Sequence, residues 1–264
     1  MNSGPRNLFV AARRGTSTGG WWTPVGRLDR TDDGYRFAYL KGAAEHDEFR
    51  PFPEMPNLKQ VYESESLFPL FANRLLSRSR PEYEAFLEWG GFDPADPPDP
   101  ISILSVTGGH RATDHYEVFA PPCADHEGCF VSKLFVHGMR YVSKDTLGQI
   151  ETLEPGEKLG MLLDVNNDFD DRAVAVRMRR ERDNHLIGYV PRYLARDIWR
   201  LCLKCDPNFV QLSVLRVNPD APLQHRLLCK VRCCWPSGFR PLDGEAFQPI
   251  VEGIETVHSV EQEC

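Results

Sequence analysis

Six short runs rich in β-branched, leucine and aromatic residues crowd the second half of the chain, over residues 134–141, 158–165, 173–178, 186–190, 210–217 and 226–235. Runs of this length, bounded by Gly, Pro, Asn and Asp, read as strands. Two amphipathic stretches, 144–153 and 191–204, read as helices. So many strands with so few helices cannot form a helical bundle or an alternating α/β fold, and the remaining solution is a curled antiparallel sheet or barrel. Asn218-Pro219-Asp220-Ala221-Pro222 supplies the turn of a closing hairpin.

The first half is organised differently. Short extended runs at 8–11, 25–28 and 35–40 alternate with turns such as Asp32-Asp33-Gly34, the pattern of a meander. Leu67, Phe71 and Leu75 then form a helical stripe within 66–76, and a second short helix is expected over 81–89, where Pro81 opens the segment and acids fill the first turn. The proline-rich stretch 93–100 predicts a stiff connector, and 101–106 and 116–119 read as strands around Thr107-Gly108-Gly109-His110-Arg111. The expected organisation is a smaller mixed domain of β-meander plus helices over 1–120, a linker over 121–132, a second domain over 133–251 and an acidic tail over 252–264, all in the α+β class.

Charge narrows the partners. The chain of 264 residues carries a net charge of −7, with 13 basic against 19 acidic side chains in residues 1–132, 18 against 15 in 133–251, and none against 4 in 252–264. Only the middle block has the sign expected of a surface that touches phosphate, so a nucleic-acid site on this chain must be local rather than a broad basic stripe. No run approaches the ~20 apolar residues of a membrane helix, and the start lacks the apolar core of a secretory signal, which predicts a cytoplasmic protein with no membrane partner. The 8 cysteines, unevenly spaced in a long chain, are expected to be mostly reduced.

Read on from Phe135, four segments occur in order. They are Val136-His137-Gly138-Met139-Arg140-Tyr141, then 153–159 (Leu-Glu-Pro-Gly-Glu-Lys-Leu), then 166–176 (Asn-Asn-Asp-Phe-Asp-Asp-Arg-Ala-Val-Ala-Val), then Ile187-Gly188-Tyr189-Val190-Pro191-Arg192-Tyr193-Leu194-Ala195. Together they resemble a HIRAN domain, a module that stands alone in bacteria and is fused to remodelling helicases in eukaryotes. The resemblance implies a six-stranded OB- or SH3-like antiparallel barrel with two helices, in a bacterial protein that captures a single-stranded DNA 3′ end without catalysis. Carried across position by position, it assigns Arg140 and Tyr141 to phosphate and base, Phe169 to stacking, and Asp170 to the terminal 3′-hydroxyl. Asn167 belongs to the same turn, and Tyr189 and Arg192 would hold the following phosphates. The chain departs from the family pattern at Asp168, where relatives often carry Pro, and at Val142, where DNA-binding relatives carry a second aromatic. In the first half, 25–28, 35–40 and 67–76 resemble the N-terminal subdomain of HipA-type toxin kinases, without the kinase core, which implies a protein-contact module.

From the residues themselves, Asn and Asp around an aromatic build a turn whose backbone N–H groups and carboxylate can converge on a hydroxyl, and Pro191 opens a helix whose N-terminus favours anions. Arg140-Tyr141 also reads as an ordinary strand end. Asp168, Asp170 and Asp171 read as turn formers, with a hard-cation site as the alternative. The spacing of Cys202 and Cys205, with Cys229 and Cys233, invites a zinc reading, set against buried thiols alternating along one strand face. Cys123, His126 and Cys129 are a lesser candidate of the same kind. The run 177–182 (Arg-Met-Arg-Arg-Glu-Arg) reads as a solvated hairpin tip or as a phosphate rail. No nucleophile, base and orienter set is apparent, so neither enzyme nor cofactor is expected. Two rival functions remain: a protein-interaction or toxin–antitoxin-type regulator without DNA binding, and a metal-dependent nuclease built on the three Asp residues.

Overall fold

The computed structural model describes residues 4–16, 19–111, 114–180 and 185–252. The chain forms two compact units. The first is built from the stretch ending at Arg78, from Pro98–Pro121 and from Arg240 onward; the second is built from Ser79–Pro97 and Pro122–Phe239.

The first unit opens with β1 (Asn7–Thr16), β2 (Gly19–Arg30), β3 (Tyr35–Tyr39) and β4 (Tyr62–Ser64), followed by the single helical turn α1 (Pro69–Ala72). The chain then contributes α2 (Tyr83–Trp89) to the second unit and returns as α3 (Pro100–Thr107) and β5 (Tyr116–Phe119). The strands form one antiparallel sheet in the order β4-β3-β2-β1-β5. Its core gathers Leu8, Val10, Leu28, Phe37, Phe71 and Leu104. The Asp32-Asp33-Gly34 turn joins β2 to β3, and a Cβ on Gly34 would come within 2.3 Å of the Ser64 carbonyl oxygen, so only glycine fits there.

Two sequence expectations change in this unit. Residues 101–106 are helical, not a strand: the Asp99 carboxylate caps the Ile101 and Ser102 N–H groups, Pro100 occupies the first turn, and Gly108 ends the helix at φ 71°. The apolar–polar alternation of this stretch imitates a strand, yet an Asp-Pro start and a glycine stop are helix boundaries, and Ile101, Ser102, Ile103 and Leu104 are all buried. The helix expected over 66–76 shrinks to α1, with Pro69 at its start.

The second unit adds to α2 the elements β6 (Cys123–Ala124), β7 (Phe130–Phe135), α4 (Lys144–Ile150), β8 (Lys158–Leu163), β9 (Val174–Arg177), β10 (Leu186–Tyr189), α5 (Arg192–Lys204), β11 (Gln211–Val217) and β12 (Leu227–Cys233). Its antiparallel sheet runs β10-β9-β8-β11-β12-β7-β6. Seven strands therefore replace the expected six, because the stretch 121–132 contains β6 and the start of β7. Between them Asp125 closes a tight turn by accepting the Glu127 and Cys129 N–H groups. The ladder is not closed. One bridge joins its β10 edge to the chain beyond β7: His137 and Tyr189 exchange both backbone hydrogen bonds at 2.9 Å. Leu134, Val136, Leu159, Val176, Ile187, Leu212, Cys229 and Val231 fill the interior, with Leu194 and Ile198 of α5 packed against them.

The units do not follow the linear division at 120 and 133. Helix α2 belongs to the second unit: Leu87 is buried, the Phe86 and Trp89 rings contact His225, and Asn218 Nδ2 donates to the carbonyl oxygens of Trp89 (3.1 Å) and His225 (2.7 Å). The segment after Arg240 belongs to the first unit, where Lys41 N–H donates to Gln248 O and Ile250 N–H to Tyr39 O. Most of the acidic tail, 253–264, lies outside the described residues. Among the described residues no helix is long and apolar enough to cross a membrane.

Candidate nucleic-acid interface

The turn that carries Asn167, Phe169 and Asp170 is organised by a residue outside the four sequence segments. Asp164 follows the end of β8 and continues its ladder, its N–H donating to Ala173 O. The Asp164 carboxylate accepts from Asn167 Nδ2 at 3.0 Å and from the Tyr189 hydroxyl at 3.1 Å, tying the turn to β10. Asn167 turns its other face inward, and its Oδ1 accepts the N–H groups of Phe169 and Asp170, both at 3.1 Å. Asp170 Oδ1 in turn accepts the Arg172 N–H. The backbone N–H groups expected to converge on a ligand hydroxyl are thus spent inside the turn, and Asn167 is its organiser. The hydrogen bond from Asn167, reinforced by Tyr189, holds the Asp164 carboxyl below its ordinary range. Burial and the neighbouring Asp164 raise the Tyr189 phenol.

The second segment of the site reaches Tyr189 through the backbone. Beyond the His137–Tyr189 bridge, Gly138 adopts φ 79° and folds the chain into the short turn Met139–Tyr141, which ends the strand expected to run to residue 141. Met139 is buried, while Arg140 and Tyr141 project outward. The Arg140 guanidinium lies 4.7 Å from the centre of the Tyr141 ring and donates to the Tyr141 hydroxyl. Gly188 makes the bridge possible. It sits at φ 150° at a register shift between β10 and β9, and a Cβ there would meet His137 O at 2.3 Å.

Tyr141 and Phe169 are each 77% exposed, among the most exposed large apolar side chains described. Arg192, at the first turn of α5, brings Nε to 3.7 Å from Asp170 Oδ2. The structure thus brings Asn167, Asp170, Tyr189 and Arg192 into one hydrogen-bonded and ionic group, with Phe169 on its turn and Arg140 and Tyr141 on the segment bridged to Tyr189. Asp164 is the addition, and a carboxylate at a strand end three residues before an Asn is the signal the sequence offers for it. Asp168 stays exposed, and Asp171 contacts Arg172.

The cysteine candidates and Arg180 are engaged with partners of their own in the fold. Among the described residues no three of the sulfurs of Cys202, Cys205, Cys229 and Cys233 lie close enough together to be a ligand set, although Cys205 interacts with both Cys202 and Cys233. Cys205 instead faces Cys234, with sulfurs 3.0 Å apart, and Cys229 is wholly buried, which raises its thiol. The finger-like spacing of Cys202 and Cys205 reflects the end of α5, where burial also raises the Cys202 thiol. Asp125, Glu127 and Cys129 do approach one another, but Arg232 donates to both carboxylates and already supplies the positive charge there. Within the run 177–182, Arg180 donates to Glu157 at 3.0 and 3.1 Å and to Thr152, so it is a fixed structural cation rather than part of a phosphate rail. Glu181 and Arg182 lie outside the described residues.

Residues 129–234 match the HIRAN domain model. Two solved structures are similar to the chain. One is a protein from Lactobacillus plantarum, at 21% identity, covering 40% of this chain and 98% of that one with a TM-score of 0.30. The other is the HIRAN domain of human HLTF, at 14% identity, covering 40% of this chain and 74% of that one with a TM-score of 0.29. No curated protein matches the chain. The HipA-type likeness of the first half finds no support in these comparisons.

Proposed function

We propose that the second unit binds DNA, that it captures the 3′ end of a single strand, and that it performs no chemistry on it. The match of residues 129–234 to the HIRAN domain supports DNA binding in general. The observation that carries the finer reading is the pair of exposed rings, Tyr141 and Phe169, on two segments that both connect to Tyr189, with Asp170 and Arg192 facing each other beside them. Exposed aromatic rings offer each base a stacking surface worth ~1–3 kcal/mol, without sequence preference. Arg140 and Arg192 supply cations for phosphate, and Arg140 can keep its place over Tyr141 while doing so.

In this reading the last base stacks on Phe169, its neighbour stacks on Tyr141, and the terminal 3′-hydroxyl donates to Asp170. Asp170 Oδ2 has a charged neighbour at 3.7 Å but no hydrogen-bonded donor at closer range among the described contacts, which leaves it an acceptor for a hydroxyl. A 3′-phosphate in that place sets two negative charges side by side. Asp164 does not touch the strand; it positions Tyr189 and Asn167. The Asp170 carboxylate, bonded to Arg172 N–H and facing Arg192, is a recognition group rather than a metal ligand.

Fluorescence anisotropy with labelled single strands tests the reading. A strand ending in a 3′-hydroxyl should bind about ten-fold or more tighter than the same strand ending in a 3′-phosphate, as expected for one charge-assisted hydrogen bond replaced by repulsion. Asp170→Ala should remove most of that difference. Equal binding of both ends by the unaltered protein would overturn end recognition.

A further inference from the structure

We infer that the outer face of the second unit's sheet is a phosphate track that carries the single strand away from the end pocket. The inference rests on the proposed end recognition for its starting point, and on strand register for its course. Leu159, Met161 and Leu163 of β8 belong to the core, so alternation puts Lys158, Gly160, Leu162 and Asp164 on the opposite face. From Asp164 that face passes Leu162, which is 47% exposed, and then Gly160. A Cβ at Gly160 would meet the Arg177 side chain at 2.9 Å and that of Arg179 at 3.3 Å, so both guanidinium-bearing chains lie over this face. The face ends at the exposed Lys158.

There it meets a row that crosses the sheet. Lys158 pairs with Ser213 of β11, Ser213 with Lys230 of β12, and Lys230 with Lys133 of β7. Residues directly opposite in register present their side chains on the same face, so three lysines and one serine line up across four strands, over about 14 Å at the usual strand spacing. Like charges directly opposite are destabilising, and Lys133 and Lys230 are such a pair. Burial and the Lys230 charge together push the Lys133 ammonium below its ordinary value.

The same face shows how such charges are otherwise handled. Arg232, two residues along β12, is matched by Asp125 and Glu127, and Arg216 of β11 is matched by Glu88. None of the three lysines has a carboxylate in ion-pair reach among the described residues. An uncompensated cationic row, with Lys133 and Lys158 exposed and Lys230 half-buried between them, reached from the pocket along one strand, fits the regularly spaced charges of a phosphodiester backbone.

The test uses the full chain with Lys133, Lys158 and Lys230 all changed to Gln, and two probes with free 3′-hydroxyls: a trinucleotide and a strand of about twenty residues. The long strand should bind about ten-fold more weakly to the variant, and its log–log salt slope should flatten by about 2, as expected for three lost single-strand phosphate contacts. The trinucleotide should bind the variant and the unaltered protein equally. Thermal stability should rise or hold, because a repulsive pair is removed. An unchanged affinity and salt slope for the long strand would overturn the track, as would displacement of that strand by poly-glutamate at equal charge. If 3′-hydroxyl and 3′-phosphate strands bind alike while the lysine-dependent slope persists, the end pocket fails and the track stands.

Discussion

Gly188→Ala should destabilise the second unit by about 3 kcal/mol or more, read as a fall in the urea midpoint. A methyl group at this position would lie 2.3 Å from His137 O and 2.7 Å from Val136 Cγ1, inside the only bridge joining the β10 edge to the segment beyond β7 among the described residues. The backbone at φ 150° adds a conformation that alanine resists, and overpacking and backbone strain each cost about 1–3 kcal/mol. Because the bridge also aligns the Arg140-Tyr141 turn with Tyr189, any folded fraction should bind single strands poorly. Gly148→Ala is the control. That glycine lies within α4 with nothing near its would-be Cβ, so alanine there should be neutral or stabilising by up to about 1 kcal/mol. Equal midpoints for Gly188→Ala and the unaltered protein would show that the bridge does not hold the site together.

Replacing both exposed rings, Tyr141→Ala with Phe169→Ala, should weaken single-strand binding by about thirty-fold to ten-thousand-fold, since each stack is worth ~1–3 kcal/mol and the two sit on separate segments. At 77% exposure neither ring supports the core, so the melting temperature should stay within about 2 °C of the unaltered value. Binding that survives the double change would mean that the rings do not carry bases. A large loss of stability would instead give them a structural role.

Much of the second unit is legible in residue order, and the reasons are local. Strand β11 and much of β8 and β12 alternate between core and surface, β9 is a short run of small and β-branched apolar residues, α5 has a well-defined apolar stripe, and the turn between β11 and β12 is announced by two prolines and an Asn. What is not legible depends on partners distant along the chain. Nothing near residue 89 signals that Trp89 will offer its carbonyl to Asn218, nor does anything near residue 250 announce the bond from Ile250 to Tyr39. A linear boundary therefore misses both excursions. The strand reading of residues 101–106 fails because it sets alternation above the Asp-Pro cap that precedes it.

The site divides along the same line. Phe169, Asp170, Tyr189 and Arg192 can be named because they lie in segments with a recognisable order. Their supporting carboxylate, Asp164, lies outside those segments: its local partner Asn167 gives a faint signal, but its bond to Tyr189 spans 25 residues and gives none. Asn167 lies in the expected turn but plays a different part there, because its amide closes the turn on itself. The cysteines carry a spacing that suggests metal, but spacing along a helix does not determine where sulfur atoms point, and Cys205 faces Cys234 instead.

In the proposed complex a strand end sits where the Arg140-Tyr141 turn, the 164–170 turn and the start of α5 meet. Titrating isotope-labelled protein with a short single strand bearing a 3′-hydroxyl, and following backbone amide shifts, tests this directly. The shifts should be largest at Arg140, Tyr141, Phe169, Asp170, Tyr189 and Arg192, with the first unit's β-sheet unmoved. Saturable binding that shifts only the first unit, or leaves residues 164–170 unchanged, would contradict it.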